Sequence, residues 1–266
     1  MIPWVARGLR EGIVTSRYPA RADDYGPSFR ATATARVTAA GAASSGAVAA
    51  DAERACPTGA ISIEDGAPRL DRGRCIACGR CAEVAPEHFA FESSPEVAAL
   101  RRDLLVVPER SESGAEVAQL RSALARRVRM LRRSIHLRHV DCGSDGSEEW
   151  EIAALTNPIY DVQRLGIYFT ASPRHADVLL VTGAGATAMA GPLRTTFESM
   201  PSPKIVIGVG SDAASGGLFA QSYATEGGVG TVLPLDVFVP GSPPSPFAIL
   251  HGILLAIGLL PGGRAR

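Results

Sequence analysis

Cys75, Cys78 and Cys81 stand in the spacing C-x-x-C-x-x-C. One loop with that spacing can place three thiolates on three corners of a 4Fe–4S cube, and a fourth must come from elsewhere. Cys56, followed by Pro57, supplies it. The chain has five cysteines in 266 residues, and the odd one is Cys142. An odd count in a chain of this size is unlike a secreted disulfide scaffold. Four thiolates could also hold zinc, and a disulfide is a third use of the same residues. The spacing favours one 4Fe–4S cluster on Cys56, Cys75, Cys78 and Cys81.

Charge and length narrow the class further. Lys and Arg number 27, and so do Asp and Glu. That balance argues against a basic nucleic-acid binder, so no nucleic-acid partner is expected. At roughly 150 residues per domain the length suggests two domains. Met1–Arg10 carries two arginines with no long apolar core behind them, unlike a secretory leader. The most apolar run, Phe247–Leu260, falls short of the roughly 20 residues a span needs and carries His251. It reads as a buried helix, and the chain as cytoplasmic.

Along the chain, Ile2, Val5, Leu9 and Ile13 recur at near-helical spacing, which marks 1–30 as an N-terminal docking segment. Residues 31–55 are 12 parts alanine in 25, a linker or weak helix by composition. The cysteine region runs to 108 and is expected to end in a strand-like stretch, Asp103–Val107. Val117–Val140 holds seven arginines and no acid around a stripe of Leu120, Leu124, Val128 and Leu131. Residues 109–134 therefore read as a basic helical linker, either a half-buried surface helix or a contact to an acidic surface. From 135 to 266 strand-like runs (135–140, 166–170, 177–182, 205–209, 235–239) alternate with helix-like runs (148–155, 189–200, 247–259). That order predicts a parallel sheet flanked by helices.

The cysteine region resembles the bacterial two-cluster ferredoxin domain. In such domains the Cys before Pro serves the cluster of the other motif. The resemblance places the second cluster's ligands at 46, 49, 52 and 85, where this chain has Gly46, Ala49, Ala52 and Ala85. All four ligands of one cluster are replaced and all four of the other remain. The alanine-rich stretch is then the remnant of a cluster loop, within a ferredoxin-like domain spanning 31–108.

Further strings occur in order: His139-Val-Asp141, Ser172-Pro-Arg-His-Ala-Asp-Val-Leu-Leu-Val-Thr-Gly183, Met200-Pro-Ser-Pro-Lys204, Ser215-Gly-Gly217, Ser222-Tyr223 and Asp236-Val-Phe-Val-Pro-Gly-Ser-Pro-Pro244. Together they resemble the small iron–sulfur subunit of energy-converting NiFe hydrogenases and formate hydrogenlyase, which shares its family with the 20-kDa subunit of respiratory complex I. The opening Gly12-Ile-Val-Thr-Ser-Arg-Tyr-Pro19 resembles the ferredoxin subunit of the same complexes. The chain thus looks like a fusion of two subunits. The expected fold is α/β plus α+β: a flavodoxin-like C-terminal sheet behind an N-terminal ferredoxin-like domain.

In that family four cysteines hold a cluster in the small subunit. The matching positions are Asp145, Glu148, Asp212 and Ser242. None is cysteine, so this cluster is expected to be lost. Three carboxylates facing one pocket must be hydrated, protonated, paired with Arg or bound to a hard cation. Gly183-Ala-Gly185 imitates a dinucleotide loop, but a lone G-x-G is a weak signal. His136, His139, His175 and His251 form no ligand spacing.

The resemblance implies a non-catalytic electron-transfer subunit, peripheral on the inner face of the cell membrane. Its partners would be a hydrogenase- or complex-I-type large subunit and membrane-arm subunits. The alternative is a degenerate scaffold, assembly or regulatory subunit that carries no electrons to the active site.

Overall fold

The computed structural model describes residues 3–21, 29–36, 43–64, 67–108, 114–128, 134–220 and 222–260, the side chains of 43–47 excepted. The N-terminal region begins with helix α1 (Pro3–Glu11) and strand β1 (Thr32–Ala35). Helix α2 (Ala43–Ala55) and strands β2 (Ile61–Glu64) and β3 (Ala67–Asp71) follow, then α3 (Arg80–Val84), β4 (Phe89–Glu92) and β5 (Val106–Val107). β1 pairs antiparallel with β4, and β2, β3 and β5 form a second antiparallel sheet. The expected strand at 103–107 is only β5; Arg102–Leu105 is a 3-10 turn. That turn lets Arg102 reach back to Asp71 with two 2.6 Å contacts.

A small core of Ala33, Ala52, Ala60, Ile61, Leu70, Ala85, Phe89 and Val107 holds this region together. Within the alanine-rich stretch, residues 43–55 form the helix that its composition allows, alanine having the highest helix propensity.

Helix α4 (Gly114–Arg127) connects the two regions. Of its apolar stripe, Leu124 and Val128 are buried and Leu120 is exposed; Leu131 lies outside the described residues. Ile2 does too, and α1 buries none of its residues.

The C-terminal region alternates strand and helix as the pattern predicts: β6 (Ile135–Asp141), α5 (Ser147–Ala154), β7 (Ile167–Phe169), β8 (Val178–Thr182) and α6 (Thr187–Ser199). Then come β9 (Ile205–Val209), α7 (Ser211–Ser215), β10 (Val237–Val239) and α8 (Pro246–Ala256). The five strands are all parallel, in the order β10-β9-β8-β6-β7. Helices cover both faces, so β8 is buried throughout and apolar up to its last residue, Thr182: Val178 and Leu180 pack on one side, Leu179 and Val181 on the other.

Every residue of α8 is buried, as expected for that apolar run. Ser245 caps it by accepting the Ala248 N–H at 3.4 Å. Among the described residues no helix is long and apolar enough to cross a membrane. Within α8, burial pushes the His251 imidazole down to about 4, so the ring is neutral at physiological pH. Its Nδ1 accepts the Ala98 N–H at 3.3 Å, which ties the N-terminal region to the sheet. Ala99 bridges Phe238 beside it.

Candidate functional site

The first site is a pocket lined by Cys56, Cys75, Cys78, Cys81, Leu70, Ile76, Phe91, Thr58, Gly79 and Arg80. It encloses about 310 Å³, part of it open to solvent. The loop between β3 and α3 carries Cys75 and Cys78, and the first turn of α3 carries Cys81. The loop turns through left-handed backbone at Ala77 (φ 53°) and Gly79 (φ 87°). Gly79 tolerates that conformation freely, whereas Ala77 is strained there. The turn aims N–H groups inward: Ala77 N donates to Cys75 Sγ at 3.4 Å. Across the pocket, Ala60 N donates to Cys56 Sγ at 3.3 Å.

As free thiols, Cys75 and Cys81 resist ionisation. Burial, outweighing the Ala77 N–H bond, pushes Cys75 up to about 12, with neighbouring sulfurs adding repulsion. Burial also raises Cys81. Four thiolates crowded into an apolar pocket need positive charge between them. The donor set, the apolar walls and the inward N–H groups fit an iron–sulfur cube, whose sulfurs accept such hydrogen bonds.

The positions matched to the other ferredoxin cluster are closed by packing. Ala49, Ala52 and Ala85 are buried at 1%, 0% and 0% exposure. Gly46 lies on α2 in the same helical row. Methyl groups fill that side.

The second site lies at the C-terminal edge of the parallel sheet. Glu148, in the first turn of α5, is buried at 1% exposure, and Asp212, in α7, at 8%. Asp145 does not join them. It is exposed in the β6–α5 loop, where its carboxylate accepts the Ser147 N–H at 2.9 Å and the Ser147 hydroxyl at 2.6 Å. These bonds hold Asp145 below the usual carboxylate range. Three carboxylates in one pocket thus become two, with the third at the mouth. Among the described residues no Arg or Lys pairs with Glu148 or Asp212, and three His, Cys, Asp or Glu at metal-binding spacing are found neither here nor at the cysteine pocket.

Burial pushes Glu148 up to about 7, with Asp212 adding repulsion. It overrides the helix N-terminus, which favours the anion. Asp212 is raised as well, first by burial and then by Asp145. Glu149, the next residue, faces away. It accepts hydrogen bonds from Ser144 at 2.7 Å and from Thr182, and Thr182 meets His139 Nε2 at 3.0 Å. Cys142 is fully buried in the core beneath this edge.

Ser211 joins the two sites. Its hydroxyl donates to the Cys75 carbonyl at 2.7 Å and accepts the Gly241 N–H at 3.3 Å. Its own N–H donates to the Gly241 carbonyl at 2.7 Å. Asp212 and Ser242 therefore flank a knot that touches the cysteine loop directly. Ser147 and Ser211 were not singled out by sequence. Isolated serines carry no spacing signal, and their roles appear only when three loops meet. Arg102 strengthens the junction by donating to the Ala214 carbonyl at 3.1 Å while it clasps Asp71.

The chain matches the family described as NADH ubiquinone oxidoreductase, 20 Kd subunit, over residues 145–256. It also matches the 4Fe-4S single cluster domain of ferredoxin I over 70–125. Formate hydrogenlyase subunit 7 of Escherichia coli is 40% identical over 159 residues, covering 60% of this chain and 61% of that protein. A probable membrane-bound hydrogenase subunit of Pyrococcus furiosus is 39% identical over 145 residues, covering 54% of this chain and 87% of its own length. A chain of the membrane-bound sulfane sulfur reductase, an archaeal respiratory membrane complex, aligns at TM-score 0.44 and 28% identity over 51% of this chain and 75% of that one. The chain thus spans about three-fifths of the Escherichia coli relative's length and most of the Pyrococcus one's. With the expected mixed α/β architecture also present, this chain belongs to the family of the 20 Kd subunit of NADH ubiquinone oxidoreductase and carries a ferredoxin-type segment ahead of that domain.

Proposed function

We propose that this chain is an electron-transfer subunit of a membrane-associated oxidoreductase of the complex-I, energy-converting hydrogenase or formate hydrogenlyase type. One 4Fe–4S cluster is held by Cys56, Cys75, Cys78 and Cys81, and the small-subunit cluster position is vacated. The observation that carries this reading is the convergence of all four cysteines on one apolar-walled pocket. When bound, such a cluster supplies a one-electron redox centre. The protein positions it through the Ala77 and Ala60 N–H groups and shields it with Leu70, Ile76 and Phe91. Cys78 is exposed, so the pocket opens to a redox partner there.

The ferredoxin-like region spans 31–108 and the small-subunit-like region 135–266. Docking is to a large subunit and to membrane-arm subunits, which places the chain peripherally on the cytoplasmic face. Anaerobic purification, iron analysis and EPR after reduction test the reading. About four iron per chain and one reduced signal support it. Zinc in place of iron, or about eight iron, overturns it.

A second reading is a scaffold subunit that passes no electrons to an active site. The carboxyl-lined second site favours it, because a wire needs closely spaced centres. Unchanged complex assembly and unchanged turnover in a Cys75→Ser variant would select this reading over electron transfer.

A further inference from the structure

The second site has an unmet requirement. Glu148 Oε1 is buried without a hydrogen-bond partner. Its carboxyl lies against the bare backbone of Gly210, where a Cβ would stand 2.7 Å from Oε1. It is thereby aimed at the turn that carries Asp212. Among the described residues no Arg or Lys pairs with it; Arg102, which reaches α7 at the Ala214 carbonyl, is paired with Asp71. α7 brings Asp212 and the β6–α5 loop brings Asp145, and both act on Glu148. Glu149 and His139 are engaged with Thr182 on the other side of α5. Two buried carboxylates without a counter-ion must take up a proton.

Hydrogen-bond accounting leads to the same result. Ser147 Oγ lies 2.6 Å from Asp145 Oδ1 and 3.2 Å from Glu148 Oε2. One hydroxyl has one hydrogen. With both carboxyls ionised, one of these two contacts has none. With Glu148 protonated, Oε2–H donates to Ser147 Oγ and the Ser147 hydroxyl donates to Asp145, so both of these contacts are satisfied and the unpartnered Oε1 is an uncharged carbonyl oxygen.

We propose that Glu148, with Asp212 beside it, forms a proton-binding site whose proton resides on Glu148 Oε2, loaded from solvent through Asp145 and the Ser147 hydroxyl. Loading begins with a proton on exposed Asp145. That proton passes to Ser147 Oγ as the hydroxyl's own proton passes to Glu148 Oε2. One O–H bond breaks and one forms at each transfer, and one negative charge moves from Glu148 to Asp145. The site exchanges protons where relatives with cysteines at these positions would exchange electrons, so it rests on the proposed loss of that cluster.

Infrared difference spectroscopy of the intact protein, with iron counted on the same sample, tests the proposal. A buried carboxylic-acid C=O band is expected below neutral pH. It should be lost as the pH passes about 7 and be missing from Glu148→Gln. Asp212→Asn should keep the band and move its midpoint to lower pH, which serves if Glu148→Gln does not fold. Ser147→Ala should keep the band and slow its exchange in D2O several-fold. About four iron with no such band, or a band unchanged in Glu148→Gln and Asp212→Asn, overturns the proton site alone. Unslowed exchange in Ser147→Ala overturns the route. A stoichiometric cation lost with Glu148→Gln overturns the proton as ligand. About eight iron overturns the vacated position itself.

Discussion

The cysteine pocket and the carboxyl pocket are neighbours bridged by Ser211, yet they meet opposite demands. In the first, four soft donors line one pocket and backbone N–H groups point at two of them, so the proposed iron–sulfur cluster would resolve their mutual repulsion. In the second, the donors are hard oxygens buried without a paired Arg or Lys among the described residues, and the proposed proton would resolve the repulsion. Both sites lie in one chain of one fold, so side chains and not architecture would decide which charge carrier each accepts.

The sharpest way to break this comparison is Cys75→Ser. Iron is expected to fall from about four per chain to near zero, while Cys142→Ser, in the core under the other pocket, leaves the count unchanged. Colorimetric iron analysis and the EPR signal read both.

Next comes the pH dependence of stability. Glu148 is raised from 4.5 to about 7 in the folded state. The unfolded chain therefore ionises first as pH rises. Stability is greatest below about 4.5, declines to about 7 and is level above. The loss assigned to this residue is about 3 kcal/mol. Denaturant titrations should show that slope in the parent protein and not in Glu148→Gln.

Arg102→Ala tests the junction between the pockets. It removes the paired contacts to Asp71 and the bond to the Ala214 carbonyl. A loss of about 2 kcal/mol is expected in denaturant midpoints, moderated because both partners are partly exposed. The smallest effect is expected from deleting 3–11. Since α1 buries nothing, thermal stability should hold within about 0.5 kcal/mol, and copurification with partner subunits should fall instead.

Much of this architecture was legible before any coordinates. Ile205–Val209 emerges with the expected bounds because an all-apolar run of five is what a strand covered on both faces requires. The C-x-x-C-x-x-C loop announces its pocket because thiolate spacing is set by the cube it wraps. Other features were hidden. Nothing local distinguishes exposed Asp145 from buried Glu148 three residues on; the difference arises only when α5 packs against the β9–α7 turn. By composition the alanine-rich stretch 31–55 allows a linker or a weak helix, and the burial of Ala49 and Ala52 is what favours helix over 43–55.

Gly183 and Gly210 carry one more consequence. A Cβ on Gly183 would stand 2.6 Å from the carbonyl carbon of Gly143, and one on Gly210 would strike Glu148. The Gly183 turn is therefore shaped by bare backbone meeting bare backbone, whereas the missing Cβ of Gly210 leaves room for the Glu148 carboxyl. Contents of a size that fits that room are the exchangeable parts of the site. Asp145→Cys, Glu148→Cys, Asp212→Cys and Ser242→Cys together would change the donor set without asking any turn to move. For protein engineering, the chain is a ready chassis into which a second redox centre can be installed.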